Sequence, residues 1–231
     1  MKQLQIILPV HNEEESIEKT VSEIYNIISK KVDFEFIICE DGSRDNTKKV
    51  LAKLSKKYPI KLISENDPKG YSRAVIDGFK AATSPFVLVI DSDGQCDPHD
   101  FSKFWKLRKK FDVIIGYRKK RSDPWQRIIL SSSYKRLYNL LFATPIHDPS
   151  CPYVLVQRKK ILSLLPILGI LREGFWWEFI ARVSQAKLKL AELPVKHRKR
   201  IDGETRVYTL FKIPKIGFTH VVGIIRIWLN R

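Results

Sequence analysis

Two spacings of apolar residues alternate along the first half of the chain. Short runs, almost continuously apolar and rich in β-branched residues, cover Leu4–Leu8, Phe34–Cys39, Ile60–Ser64, Pro85–Ile90 and Val113–Gly116. Their length predicts strands, and Pro85–Ile90 reads as one buried on both faces. Between them apolar positions recur every three or four residues: Ile17, Val21, Ile24 and Ile28; Val50, Leu51, Leu54 and Tyr58; Ala74, Val75, Gly78 and Phe79; and, within Asp100–Lys110, Phe101, Phe104, Trp105 and Leu107. That spacing predicts helices with one buried face. Strands alternating with helices in this way predict βαβ units and a mostly parallel sheet. Pro9 is expected to stop the first strand. Asn12 is expected to cap the first helix, with Glu15 completing a capping box, and Asp45 to cap the second.

The second half is less regular. Trp125–Phe142 has the pattern of an amphipathic helix, carried by Ile128, Ile129, Leu137, Leu140 and Leu141. Tyr153–Gln157 and Leu188–Val195 read as strands, Lys159–Leu165 and Phe175–Ala186 as helices. A basic run, Lys196 to Arg200, leads to a turn at Asp202-Gly203 and a last helical segment expected to be interrupted by Pro214. Of the adjacent Trp176 and Trp177, one is expected in the core and the other, with Glu178, beside a ligand.

With 231 residues, 44% of them apolar and 29% charged, the chain suits one large folded domain with at most a small appendage. A net charge of +17 implies an anionic partner. Three scattered cysteines, Cys39, Cys96 and Cys151, suggest no disulfide framework. Cys96 and His99 have half of a zinc spacing with no second half to complete it. Met1 to Leu8 leads directly into a strand-like run, so no leader is expected, and Ile216–Leu229 is too short to span a bilayer.

The candidate chemistry lies at strand ends. Asp91-Ser92-Asp93-Gly94-Gln95 follows the fourth strand, and Glu40-Asp41-Gly42-Ser43 follows the second. Open α/β sheets bind ligands where strands finish. Two acids as close as Asp91 and Asp93 repel each other unless a cation sits between them, and a hard divalent ion with substrate phosphates suits the pair. Asp41 is placed to accept hydrogen bonds from a base or ribose. Pro9-Val10-His11-Asn12-Glu13, at the end of the first strand, completes the set.

These residues resemble family 2 glycosyltransferases of the GT-A fold. The opening proline, aromatic, Asn-Glu motif matches Pro9, Asn12 and Glu13, with His11 in the aromatic place. The Asp-Asp-Gly-Ser motif matches Glu40 to Ser43, a glycine-rich segment matches Asn66 to Gly78 with Lys69-Gly70 kept, and Asp-x-Asp matches Asp91 and Asp93. Within the family the second half looks like dolichol-phosphate mannosyltransferases and other polyprenyl-phosphate glycosyltransferases. Gln95, Gly116-Tyr117-Arg118, the stretch Arg127 to Ser133 and the loop Arg200 to Arg206 carry that likeness.

The resemblance implies an α/β GT-A (Rossmann-like) sheet over residues 1–206, flanked by helices. In the remaining segment, 207–231, the apolar and basic residues of Tyr208–Trp228 have the composition of an amphipathic helix lying in a membrane interface, the alternative being that Ile216–Leu229 packs on the sheet as a terminal core helix. The resemblance also implies an inverting transferase that moves a sugar, mannose as the first choice, from a nucleoside diphosphate sugar (GDP-mannose or a UDP-sugar) to a polyprenyl or dolichyl phosphate. The catalytic set would be Asp91, Asp93, Arg118 and Arg127. Pro9, His11, Glu13, Asp41, Lys69, Asp91, Ser92 and Asp93 would hold the nucleotide sugar. Asp91, Asp93 and Gln95 would hold Mg²⁺ or Mn²⁺, and Arg118, Arg127, Arg200 and Ser131 or Ser133 the acceptor phosphate. The protein would act at the cytoplasmic membrane surface, lying on the bilayer or on a membrane-anchoring partner. A soluble enzyme acting on a glycan or small hydroxyl would instead need a carboxylate base, for which Asp148 and Glu178 are the candidates. A nicotinamide fold or a nucleotidyltransferase would show a glycine-rich turn after the first strand, which is absent. An aspartyl phosphatase would carry its acid pair after the first strand, not the fourth. No nucleic-acid-binding module is recognisable.

Overall fold

The computed structural model describes residues 2–119, 134, 136–142, 144, 146–172, 174–198 and 213–230. In chain order the elements are β1 (Leu4–Val10), α1 (Ile17–Ile28), β2 (Phe34–Glu40), α2 (Thr47–Leu54), β3 (Ile60–Ser64), α3 (Tyr71–Ala81) and β4 (Phe86–Val89). A 3₁₀ turn, Pro98–Asp100, runs into α4 (Phe101–Leu107), followed by β5 (Val113–Arg118) and helical residues 136–142, here α5. Next come β6 (Val154–Gln157), α6 (Arg158–Ile161) continuing as a 3₁₀ segment, α7 (Phe175–Gln185), β7 (Leu190–Val195) and α8 (Ile213–Leu229). The sheet has the order β3-β2-β1-β4-β6-β5-β7 and is parallel except for β6.

The apolar runs are all strands, mostly buried in β1, β2, β4 and β5, whereas β3, at a margin of the sheet, has no buried residue. β1 sits mid-sheet between β2 and β4, and all seven of its residues are buried. Each Leu, Ile, Val or Phe so removed from water contributes about 1.5–3 kcal/mol. α3 lies against β1 and β2 at a close approach: a Cβ on Gly78 would meet Ile7 Cγ2 at 2.7 Å and Cys39 Sγ at 3.1 Å. β6 matters most for position. Being antiparallel, it brings its start to the edge where its neighbours finish, so Val154 faces both Val89 and Ile115. The chain just before β6 therefore joins the ends of β4 and β5.

Several local expectations change. β1 runs through Pro9 to Val10. Ile7 gives its carbonyl to Ile90 on the β4 side, and Val10 gives its own to Asp41 on the β2 side. By alternation Pro9 faces β4, whose pairing ends at Ile7–Val89, so the missing N–H breaks no ladder bond. Asn12 does not cap α1. It has φ 54°, its N–H donates to Ser43 Oγ and its Oδ1 accepts the Arg44 N–H, while Ser16 precedes the helix. Asp45 accepts the Thr47 N–H at 3.0 Å from one residue further out, while Asn46 stands at the start of α2 without a side-chain cap. Pro214 opens α8 and does not interrupt it, because the first turn needs no N–H there. Phe175 through Val183 are all buried, so both Trp176 and Trp177 are core residues. The first part of Trp125–Phe142, with Ile128 and Ile129, and the Asp202-Gly203 turn lie outside the described residues.

Candidate active site

The ends of β1, β2, β4 and β5 and the start of β6 converge on one edge, and their loops are laced together by side chains. At the end of β2, Asp41 gives both carboxylate oxygens to backbone amides: Oδ1 accepts Lys69 N–H at 2.7 Å and Oδ2 accepts Gly70 N–H at 2.8 Å. Gly42 makes this possible. It has φ 63°, and a Cβ there would lie 2.6 Å from Asp67 C and Pro68 N, so the loop crosses directly over it. Glu40 is buried and structural. Its Oε1 accepts the Ser43 N–H, and its Oε2 accepts the Ser64 hydroxyl at 2.6 Å with Lys48 Nζ at 3.5 Å. Desolvation pushes its carboxyl up, but the bonds from Ser64 and Ser43 and the Lys48 charge outweigh this and hold it below its ordinary value.

His11 is exposed, with Nδ1 2.7 Å from the Asp41 carbonyl, so that nitrogen carries the proton. The Glu13 N–H donates to Thr47 Oγ1, and its Oε2 accepts the Ser16 hydroxyl. Ser92 is buried and donates to the Pro9 carbonyl at 2.8 Å, joining the ends of β4 and β1. Lys69 is exposed and paired with Glu65 at 2.5 Å.

Asp91 and Asp93 stand beside this frame. Asp91 Oδ1 accepts the Tyr71 hydroxyl at 2.8 Å, and Asp93 Oδ1 accepts the Gln95 N–H at 3.0 Å. Burial pushes the Asp91 carboxyl above its ordinary value and the Asp93 charge adds to this, against the Tyr71 bond and the Arg118 charge. Such a pair suits a hard cation. Among the described residues no group of three or more His, Cys, Asp or Glu that could hold a metal ion is present. Gln95 donates its side-chain NH₂ to the Arg198 carbonyl at 3.3 Å, leaving the amide oxygen as the atom able to ligate. A backbone bridge between Cys96 and His197 holds the segment 196–198 against this loop, and Arg198 pins it by pairing with Glu23 at 2.7 Å and Asp97 at 2.8 Å.

Arg118, at the end of β5, pairs with Asp148 and also donates to Ser150 Oγ at 2.8 Å. The antiparallel β6 is what brings Asp148 here. Glu178 is fully buried and accepts the N–H groups of Gly169, Ile170 and Leu171 at 2.8–3.2 Å, so it staples a loop and is not poised as a base. Arg127, Ser131, Ser133 and Arg200 lie outside the described residues. Sequence reasoning does not single out Tyr71 or the hydrogen bond from Trp176 that reaches it; the visible signal is a tyrosine directly after Lys69-Gly70.

Residues 5–165 match the model for glycosyl transferase family 2. The chain belongs to that family. Of its curated relatives, a dolichol-phosphate mannosyltransferase from Pyrococcus furiosus is 33% identical over 214 residues, which is 88% of this chain but 59% of that protein. A dolichyl-phosphate beta-glucosyltransferase from Dictyostelium discoideum is 24% identical over 251 residues, 97% of this chain and 76% of that one. Among solved structures, glucosyl-3-phosphoglycerate synthase from Mycobacterium tuberculosis, in complex with Mn²⁺, uridine diphosphate and glucosyl-3-phosphoglycerate, superposes with a TM-score of 0.74 at 16% identity, covering 98% of this chain and 80% of that one. This family 2 member thus has the GT-A fold, as its sequence implied.

Proposed function

We propose that this family 2 chain transfers a sugar, mannose as the first choice, from a nucleoside diphosphate sugar to a polyprenyl phosphate such as dolichyl phosphate, with inversion at the anomeric carbon. The observation that carries the reading is the sheet edge itself: Asp41, the Asp91/Asp93 pair and Arg118 come from three different strand ends to one place. Mg²⁺ or Mn²⁺ held by Asp91, Asp93 and Gln95 would supply positive charge to the departing diphosphate. Pro9, His11, Glu13, Asp41 and Lys69 would frame the nucleotide, with Ser92 keeping two of these strand ends in register.

The relatives' names point to a lipid-phosphate acceptor. The acids point the same way. A phosphate monoester is already largely ionised near neutral pH, its second pKa being about 6, and needs no strong base. A hydroxyl acceptor does need one, yet Glu178 is tied to three amides and Asp148 to Arg118. Arg118 and, from sequence alone, Arg127, Arg200 and Ser133 would hold the acceptor phosphate in line with the sugar.

Membrane contact would fall to α8. One stripe, with Ile224 and Ile227, is buried and packs on the core beside α7. A second stripe is exposed: Val222 at 49%, Ile225 at 41% and Leu229 at 67%, next to exposed Arg226. Among the described residues no helix is long and apolar enough to cross a membrane, so α8 would lie in the interface with its cations toward anionic headgroups.

The test is an assay of the purified chain with GDP-mannose and with UDP-glucose, Mn²⁺, and a short polyprenyl phosphate or its dephosphorylated alcohol. Turnover on the phosphate alone is expected. Equal turnover on both acceptors would sink the reading.

A further inference from the structure

We infer that Tyr71 is a positioning residue for Asp91, held in place by Trp176. This rests on the reading of Asp91 and Asp93 as a divalent-cation site. Three groups form a chain: Trp176 Nε1 donates to Tyr71 Oη at 2.8 Å, and Tyr71 Oη donates to Asp91 Oδ1 at 2.8 Å. The direction is forced at both steps. An indole N–H only donates, so the tyrosine oxygen must accept from it, and the one phenolic proton is left for the carboxylate.

The donor at the head of this chain does not move easily. Trp176 is buried and packed edge-on against Phe175 at 4.9 Å and Phe179 at 5.6 Å between ring centres. Asp91, by contrast, follows β4 in a loop, where a carboxylate could otherwise turn about two torsions. Committing Oδ1 to a fixed hydroxyl restricts how the carboxylate can turn when it meets a cation. Groups that orient a metal ligand from behind in this way raise its effective affinity because less freedom is lost on binding.

The same tyrosine connects the two acidic strand ends. It directly follows Lys69 and Gly70, whose amides are seated on Asp41. Three consecutive residues therefore tie the acid at the end of β2 to the acid at the end of β4. Whatever seats the 69–70 amides also sets where the Tyr71 ring begins.

The experiment measures Mn²⁺ binding to the nucleotide-free protein by electron paramagnetic resonance, which needs no turnover, alongside thermal melts. Asp91→Asn is the reference and should abolish the bound-ion signal. Tyr71→Phe keeps the ring and removes the hydroxyl, and is expected to raise the Mn²⁺ Kd about 10- to 100-fold, with a small fall in melting temperature because the Trp176 N–H loses its acceptor. Trp176→Phe keeps Tyr71 but frees it, and is expected to raise the Kd by less than Tyr71→Phe does, with a broadened bound-ion spectrum. An unchanged Kd and spectrum in Tyr71→Phe, with Asp91→Asn still inactive in binding, overturns the positioning role and leaves the cation site standing. Unchanged binding in Asp91→Asn overturns both.

Discussion

Arg118 and Asp148, thirty residues apart in the chain, are joined by two parallel bonds, Nε to Oδ2 at 2.6 Å and Nη2 to Oδ1 at 2.9 Å. Their side chains are only 12% and 5% exposed. Removing one partner from a pair this deep typically costs about 3–5 kcal/mol, since the remaining charge is left in a poorly solvating place. Asp148→Ala should therefore lower the unfolding free energy by about 3 kcal/mol in urea titration. A loss below about 1 kcal/mol would mean that the pair is screened like a surface bridge.

Glu40 sets an acid limit on the fold. A carboxyl held low in the folded state binds its proton less readily than in the unfolded chain, so its contribution is full above the ordinary value of 4.5 and disappears as pH falls through the folded value. Asp45 and Asp97 are also held low and act in the same direction. Thermal melts should show stability lost as pH falls below about 4.5, a limb that Glu40→Gln should flatten, while Asp91, held up at about 7, acts in the opposite sense between that value and its ordinary one. A melting temperature that rises as pH falls from about 4.5 to 3 would contradict the assignment.

The three cysteines should be silent toward thiol reagents. Burial pushes Cys39 up to about 12, with Asp77 and Asp41 adding to it, and pushes Cys151 to about 12 and Cys96 well above its ordinary value. A raised value keeps the thiol protonated, and the thiolate is the reactive form. At pH about 8 a disulfide reagent such as DTNB should release no chromophore from the folded protein and react at all three sites once it is unfolded in urea.

Gly42→Ala tests how the Asp67–Pro68 crossing supports the site. The new methyl would meet backbone at 2.6 Å in a left-handed conformation. The expected cost is about 1–3 kcal/mol. The amides of Lys69 and Gly70 should also lose hydrogen-exchange protection as the loop lifts from Asp41. Retained protection there would show that the loop is seated without the close approach.

Much of this arrangement was legible in the sequence because parallel strands buried on both faces announce themselves as unbroken apolar runs, and the acids follow those runs directly. The direction of β6 was not: Val154 to Gln157 would look the same in either orientation, yet the antiparallel choice is what brings Asp148 to Arg118. Nor does a carboxylate reveal its employment. Glu178 looks like a candidate base until its three amide partners, seven to nine residues away, are seen. Tyr71 reaches Asp91 across 20 residues and Trp176 across 105, separations at which no periodicity or spacing rule operates.

The strand order has a further consequence at the margins of the sheet, which are β3 and β7. The Val113 N–H bonds to the Lys189 carbonyl, so by alternation Leu190, Glu192 and Pro194 turn their backbone groups away from β5. On that outer side Pro194 has no N–H to offer, and its carbonyl is taken by Lys103 Nζ. The opposite margin is five residues long and carries an exposed lysine, Lys61. Short, charged, proline-blunted margins give an incoming strand little to pair with. Among the described residues the seven-stranded sheet thus presents its acids at the strand ends, while neither side margin offers a long, bare row of backbone groups.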